Sequence, residues 1–187
     1  EDQCIKPSNV YEVSKACSGL IATAYSNNYS LPVFTIRAAN LYGPGDANTS
    51  RLIPGSIMRL LYGEQPILFK GVSDYIREFL YVGDAAYAVI HLMENIDITK
   101  SHIINLGSGE VHKVKKVIDQ LCINIDPKIK PIIREKQDLF KEIEKQYVDF
   151  TKLTSIVKDF SPTNLEDGLK LTINWYEKHK DKLPRPS

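Results

Sequence analysis

Short apolar runs alternate along this chain with stretches of helical periodicity, and that alternation limits the possible folds more than any other feature. Val10, Val13, Cys17, Leu20, Ile21 and Ala24 recur at helical offsets behind the candidate caps Ser8 and Asn9, which predicts an amphipathic helix over residues 9–28. Leu31-Pro32 then introduces Val33-Phe34-Thr35-Ile36, a short buried strand ending at Arg37 to Asn40. Leu41 to Ser50 is rich in turn formers and reads as a loop. A helix from Pro54 to Tyr62, a strand through Pro66 to Phe69, a turn at Gly71 to Asp74 and a strand from Arg77 to Val82 follow. Asp84 opens a helix reaching Met93, Ile103 to Leu106 is a strand, and Val114 to Cys122 is a helix. Asp126 to Tyr147 is Lys/Glu-rich and reads mostly as solvated surface around a short Ile132-Ile133 strand, before helices near Leu153 and from Leu165 to Lys178. Strands separated by helices pair in parallel, so the expected class is α/β. Open parallel sheets bind ligands beyond the C-terminal strand ends, which is where Arg37 to Asn40 arrives.

The first helix carries the most distinctive chemistry. Tyr11 and Lys15 stand at i and i+4, on one helix face, so the ammonium favours phenolate over a phenol whose reference pKa is about 10. That is how a tyrosine becomes a usable base near neutral pH. The same spacing also describes a solvated face with a cation lying over a ring, a contact of about 0.5–1 kcal/mol. Tyr176 and Lys180 repeat it near the C-terminus, and spacing alone does not choose between the pairs.

Composition removes several classes of function. The 187 residues are 43% hydrophobic, enough for a packed core, and 24 basic side chains balance 23 acidic ones. So balanced a charge leaves no electrostatic footprint for nucleic acid or an anionic membrane. No run of apolar residues reaches bilayer length. Cys4, Cys17 and Cys122 are odd in number and lack metal-ligand spacing, which favours reduced thiols. His91, His102, His112 and His179 show no ligand spacing either, so no metal site is expected. No Gly-x-Ser-x-Gly elbow surrounds Ser14 or Ser18, which leaves hydrolase chemistry without a nucleophile. Gly107-Ser108-Gly109 has no third glycine at the offset of a phosphate-binding turn and reads as a simple turn.

Further segments join Tyr11-Glu12-Val13-Ser14-Lys15 in a fixed order: Arg37-Ala38-Ala39-Asn40-Leu41-Tyr42-Gly43-Pro44-Gly45, then Ser50-Arg51-Leu52-Ile53-Pro54, then Tyr75 through Ala85. With Ile104-Asn105-Leu106-Gly107 and the closing Leu165 to Tyr176 helix, they cover nearly the whole chain. In order and separation they resemble the extended short-chain dehydrogenase/reductase family, specifically its nucleotide-sugar epimerases and dehydratases. Gly45 to Pro54 looks most like the branch containing CDP-glucose 4,6-dehydratases. The fold this resemblance implies is the C-terminal part of an NAD-binding Rossmann-type sheet interleaved with a smaller α/β substrate-binding domain. Residues 1–40 and 82–125 are expected in the sheet, and residues 41–81 and 126–187 in the substrate-binding part. The family's Gly-rich dinucleotide turn, its catalytic Ser or Thr and the dehydratase Asp-Glu pair belong upstream of position 1, so the chain is expected to be a C-terminal half.

The resemblance also implies roles. Tyr11 is the base at the hexose 4-hydroxyl while hydride passes from C4 to NAD, or NADP. Lys15 holds the phenolate and the nicotinamide ribose. Ala38 lines the nicotinamide or packs as an ordinary strand residue. Arg77 pairs with the diphosphate of a nucleotide-diphosphate sugar, with Asn40 and Arg51 as further donors and Leu52 and Phe69 flanking the base. Asn40 equally suits a turn cap, Phe69 a core position, and Asp84 a helix cap outside the site. A homodimer through the Tyr/Lys helix, with Ala16, Leu20, Thr23 and Ala24 at the contact, and a cytoplasmic location complete the expectation. The competing reading is a non-catalytic nucleotide-sugar binding or assembly module, and without the dinucleotide half this chain alone is expected to be inactive.

Overall fold

The structure is a computed structural model and describes residues 1, 4–99, 102–135 and 143–185. It begins with α1 (Val10–Tyr29), whose start is fixed chemically: Asn9 Oδ1 accepts from the Glu12 amide at 2.9 Å, and Glu12 reaches back to the Ser8 amide and hydroxyl at 2.6 and 2.8 Å. Ser30, in the left-handed region, ends it. The strand β1 (Thr35–Ala38) lies two residues beyond the predicted Val33–Ile36 run, because the Val33 amide closes a tight turn onto the Leu31 carbonyl and Thr35 is the first residue to bond across, to His102. It pairs in parallel with β5 (Ile103–Leu106).

Leu41 and Tyr42, predicted as loop, form β2 (Asn40–Tyr42), which pairs in parallel with β4 (Ile76–Tyr81). That ladder satisfies backbone groups that an apolar loop would leave buried and unpaired. β4 also takes β6 (Val111–Lys113) antiparallel and β8 (Lys145–Gln146) parallel. A third small parallel sheet joins β3 (Ile67–Phe69) to β7 (Ile132–Arg134). The Lys/Glu-rich region thus supplies two strands, while residues 136–142 within it lie outside the described residues. The helices are α2 (Leu52–Leu61), α3 (Val82–Glu94), α4 (Ile96–Thr99), α5 (Val114–Ile125), α6 (Thr151–Ile156) and α7 (Leu165–His179). Tyr81, not Asp84, holds the cap position of α3; the Asp84 carboxylate instead accepts from the Thr163 amide and hydroxyl at 2.7 and 3.0 Å. The class is α/β.

Two apolar clusters hold these elements. One packs α2, α5 and α7 around Tyr42, Leu68 and Phe79; the other packs α3, β5 and α6 around Leu80. Successive strand residues face opposite ways, which is how Phe79 and Leu80, neighbours on β4, enter different clusters. Burying a large aliphatic side chain is worth about 1.5–3 kcal/mol against about 0–1 for an exposed ion pair, so the clusters carry the stability. The expected segments distribute across both: α3 and α5, from 82–125, lie in different clusters, as do α6 and α7 from 126–187.

α1 is the exception to good burial. Gly19 packs against Thr35 and Ser26 is buried, but Val10, Tyr11, Leu20, Ile21, Tyr25 and Tyr29 are exposed. The predicted stripe therefore faces outward, because the described part of the β1–β5 sheet is only two strands wide and cannot cover a helix of 20 residues. Among the described residues no helix is long and apolar enough to cross a membrane.

Candidate functional site

A cleft of about 450 Å³ opens between α2, β3 and the β2–β4 pair, a size within the range of small-molecule sites. Helical periodicity puts Leu52, Gly55, Ser56 and Arg59 on the α2 face that lines it. Gly55 is required there, since a Cβ would overlap the Thr49 carbonyl. The loop before α2 is a series of Asx turns: Asp46 accepts from the Asn48 amide, and Asn48 from the Ser50 amide, each at 3.0 Å. Arg51 pairs with Asp46 at 2.9 Å, and the Asp46 carbonyl receives the Tyr176 hydroxyl, which anchors the loop to α7.

The cleft gathers Asn40, Arg51, Leu52, Phe69 and Arg77 with Arg59. Among the described residues, the charged side chains lining it are three arginines, with no carboxylate. Arg77 is 8% exposed; one of its Nη atoms donates to the carbonyls of Ile76 at 2.9 Å and Glu144 at 3.3 Å, and the guanidinium stacks 5.3 Å from the Tyr75 ring centre. Asn40 donates to the Glu78 carbonyl at 2.9 Å and approaches Gln146 Oε1 at 3.4 Å, so its amide bonds across the sheet rather than capping a turn. Phe69 is 42% exposed, a cleft wall and not core. Arg59 pairs with Glu64 at 3.1 Å. Such a lining attracts a polyanion that also carries a flat apolar group.

Tyr11, Lys15 and Ala38 do not line this cleft. Tyr11 is 70% exposed on α1 with the Lys15 ammonium 5.4 Å from its ring centre, and Ala38 ends β1 opposite Leu106. A short connection joins α1 to β1, and Gly19 in the middle of the helix packs against Thr35 at the start of the strand. The second pair behaves differently. Tyr176 is fully buried, burial pushes its phenol well above the usual value, and Lys180 lies over Tyr62 instead. Among the described residues no group of three metal-ligating side chains occurs.

Two residues in and around the cleft escaped the sequence reading. Arg59 was discoverable, because it lies seven residues after Leu52 on one helix face. Glu78 left only the weaker signal of an acid inside an apolar strand; it is 1% exposed, and the Gly107-Ser108-Gly109 turn wraps its carboxylate.

Residues 1–107 of the 187 match the profile of the NAD dependent epimerase/dehydratase family. A trifunctional UDP-glucose 4,6-dehydratase/UDP-4-keto-6-deoxy-D-glucose 3,5-epimerase/UDP-4-keto-L-rhamnose-reductase of Arabidopsis thaliana is 29% identical over 175 residues, 94% of this chain but 26% of that protein. A probable dTDP-glucose 4,6-dehydratase of Sinorhizobium fredii is 28% identical over 177 residues, 91% of this chain and 49% of its own length. Among solved structures, dTDP-glucose 4,6-dehydratase from Bacillus anthracis in complex with NAD is similar with a TM-score of 0.85 and 25% identity, over 98% of this chain and 57% of that one. UDP-glucose 4-epimerase from Thermotoga maritima, with UDP-glucose, gives a TM-score of 0.82 and 25% identity, over 94% of this chain and 55% of that one. The chain thus spans between a quarter and somewhat over half of these relatives. With the motif order, the sheet pairing and a profile match over more than half its length, the chain belongs to the NAD dependent epimerase/dehydratase family.

Proposed function

We propose that these residues form the nucleotide-sugar-binding and Tyr/Lys part of an NAD-dependent nucleotide-sugar 4,6-dehydratase or epimerase. The observation that carries this reading is the cleft, which among the described residues brings Arg51, Arg59 and Arg77 together with Asn40, Leu52 and Phe69. Arg77 binds the diphosphate, where a planar guanidinium, largely out of water, bonds two oxygens at once. Asn40 and Arg51 add donors, Arg51 exchanging its exposed pairing with Asp46 for the ligand. Leu52 and Phe69 enclose the nucleobase.

The exposed Tyr11, with the Lys15 ammonium over its ring, serves the nicotinamide ribose end of a dinucleotide, and Ala38 lines the nicotinamide. NAD, when bound, supplies the acceptor for hydride from the sugar C4. Tyr11, as the phenolate, takes the proton of the 4-hydroxyl and becomes a neutral phenol, and Lys15 holds the phenolate before that transfer together with the nicotinamide ribose. The exposed apolar face of α1 pairs two copies of the chain, and the protein works in the cytoplasm. A binding module without turnover is the second reading, favoured by one observation: Tyr11 lies outside the cleft.

Calorimetric titration of CDP-, UDP-, dTDP- and GDP-sugars into the protein tests the proposal. One class should bind, and Arg77→Ala should weaken it by about tenfold or more. Binding of none, or unchanged affinity in Arg77→Ala, sinks the diphosphate role.

A further inference from the structure

We propose that Glu78 is the positioning residue of the cleft: its buried carboxylate fixes the arm formed by residues 143–148, and the arm in turn sets Arg77 and Asn40 for the ligand. The inference rests on the nucleotide-sugar reading of that cleft. Glu78 Oε1 accepts from the Ser108 and Gly109 amides at 2.6 and 2.9 Å, and Oε2 accepts from the Val148 amide at 2.8 Å. A carboxylate that is 1% exposed is unfavourable unless its oxygens are bonded, and here three backbone donors from two distant segments do this. Gly107 leaves the room: a Cβ there would come within 2.6 Å of Oε1 and 2.8 Å of Val148.

The arm touches both polar residues at the back of the cleft. The Glu144 carbonyl accepts from the Ile76 amide at 2.8 Å and from Arg77 at 3.3 Å, and Gln146 Oε1 approaches the Asn40 amide at 3.4 Å. Val148, two residues on, is where Glu78 ties the arm down. Arg77 and Glu78 are successive on β4, so their side chains leave opposite faces; Arg77 lines the cleft and Glu78 does not. Glu78 therefore acts on the ligand through its neighbours. A carboxylate is needed because it is acceptor-only, whereas a glutamine in its place would turn an NH₂ toward one of the three donors.

The test uses UDP, CDP, dTDP and GDP as probes in calorimetry on the protein and on Glu78→Gln. The nucleoside diphosphate that binds the unmodified protein should bind Glu78→Gln at least about tenfold more weakly. The circular dichroism of the variant should be unchanged, and its amide exchange faster at residues 144–148. Equal affinity in a folded Glu78→Gln overturns the inference. Should that variant not fold, amide exchange on the unmodified protein decides: saturating diphosphate should slow exchange at Val148, and an unchanged rate overturns the inference. If none of the four probes binds the unmodified protein, the nucleotide-sugar reading falls, and this inference with it.

Discussion

Three tyrosines show how much a hydroxyl's meaning depends on its surroundings. Tyr11 is exposed, so Tyr11→Phe should leave stability within about 0.5 kcal/mol. On the role proposed for Tyr11 as base, the same variant should lower turnover by about 10²–10⁴-fold. Steady-state kinetics beside a urea titration check both halves, and undiminished turnover excludes Tyr11 as the base. Tyr176 is fully buried and donates to the Asp46 carbonyl, whereas the Tyr42 hydroxyl is buried against Gly168 with no hydrogen-bond partner among the described residues. Removing a bonded buried hydroxyl costs about 1 kcal/mol, but removing an orphaned one costs nothing and relieves a desolvated group. Tyr176→Phe should therefore lower the urea midpoint and Tyr42→Phe should hold or raise it, an opposition that equal losses in the two variants would refute.

Among the elements, α1 has the least intramolecular cover for its apolar residues. Leu20 and Ala24 are both exposed on it, and small and apolar positions let two helices approach closely. Leu20→Glu puts a charge in the middle of that face, so it should convert a dimer to monomer in sedimentation equilibrium without changing the helical content. A protein already monomeric at high concentration removes the contact. The long helices were legible in the sequence for the same reason that α1 is visible at all: ten or more residues repeat a stripe often enough to be read. β2 and β8, at three and two residues, have no period of their own and exist only through their pairing with β4. Asn40, Arg51, Leu52 and Arg77 could be named together because they sit in motifs of fixed order, Phe69 was named with them from the family resemblance, and the five share one cleft. Glu78 could not, because its partners are the backbone amides of residues 108, 109 and 148, which any side chains could accompany.

On the scale of the whole molecule, burial raises the phenol pKa of both Tyr42 and Tyr176, with the Asp84 carboxylate adding to the effect on Tyr42. A raised folded value means that the neutral phenol is favoured in the native state. The stability this gives is complete below the unfolded pKa of about 10 and is lost as pH climbs toward the folded values. Urea midpoints should accordingly stay level to about pH 9.5 and fall above about pH 10, with phenolate absorbance rising as the protein unfolds. A level midpoint to about pH 11 contradicts this. The placing of Phe79 in one interior and Leu80 in the other has a consequence for anyone trading ligand preference between relatives by recombination. No single crossover separates the two interiors, since each draws residues from several stretches that alternate along the gene, and one strand belongs to both. A chimaera joined at any one point inherits mismatched halves in at least one interior, so preference here is better moved residue by residue along the cleft than by exchange of contiguous blocks.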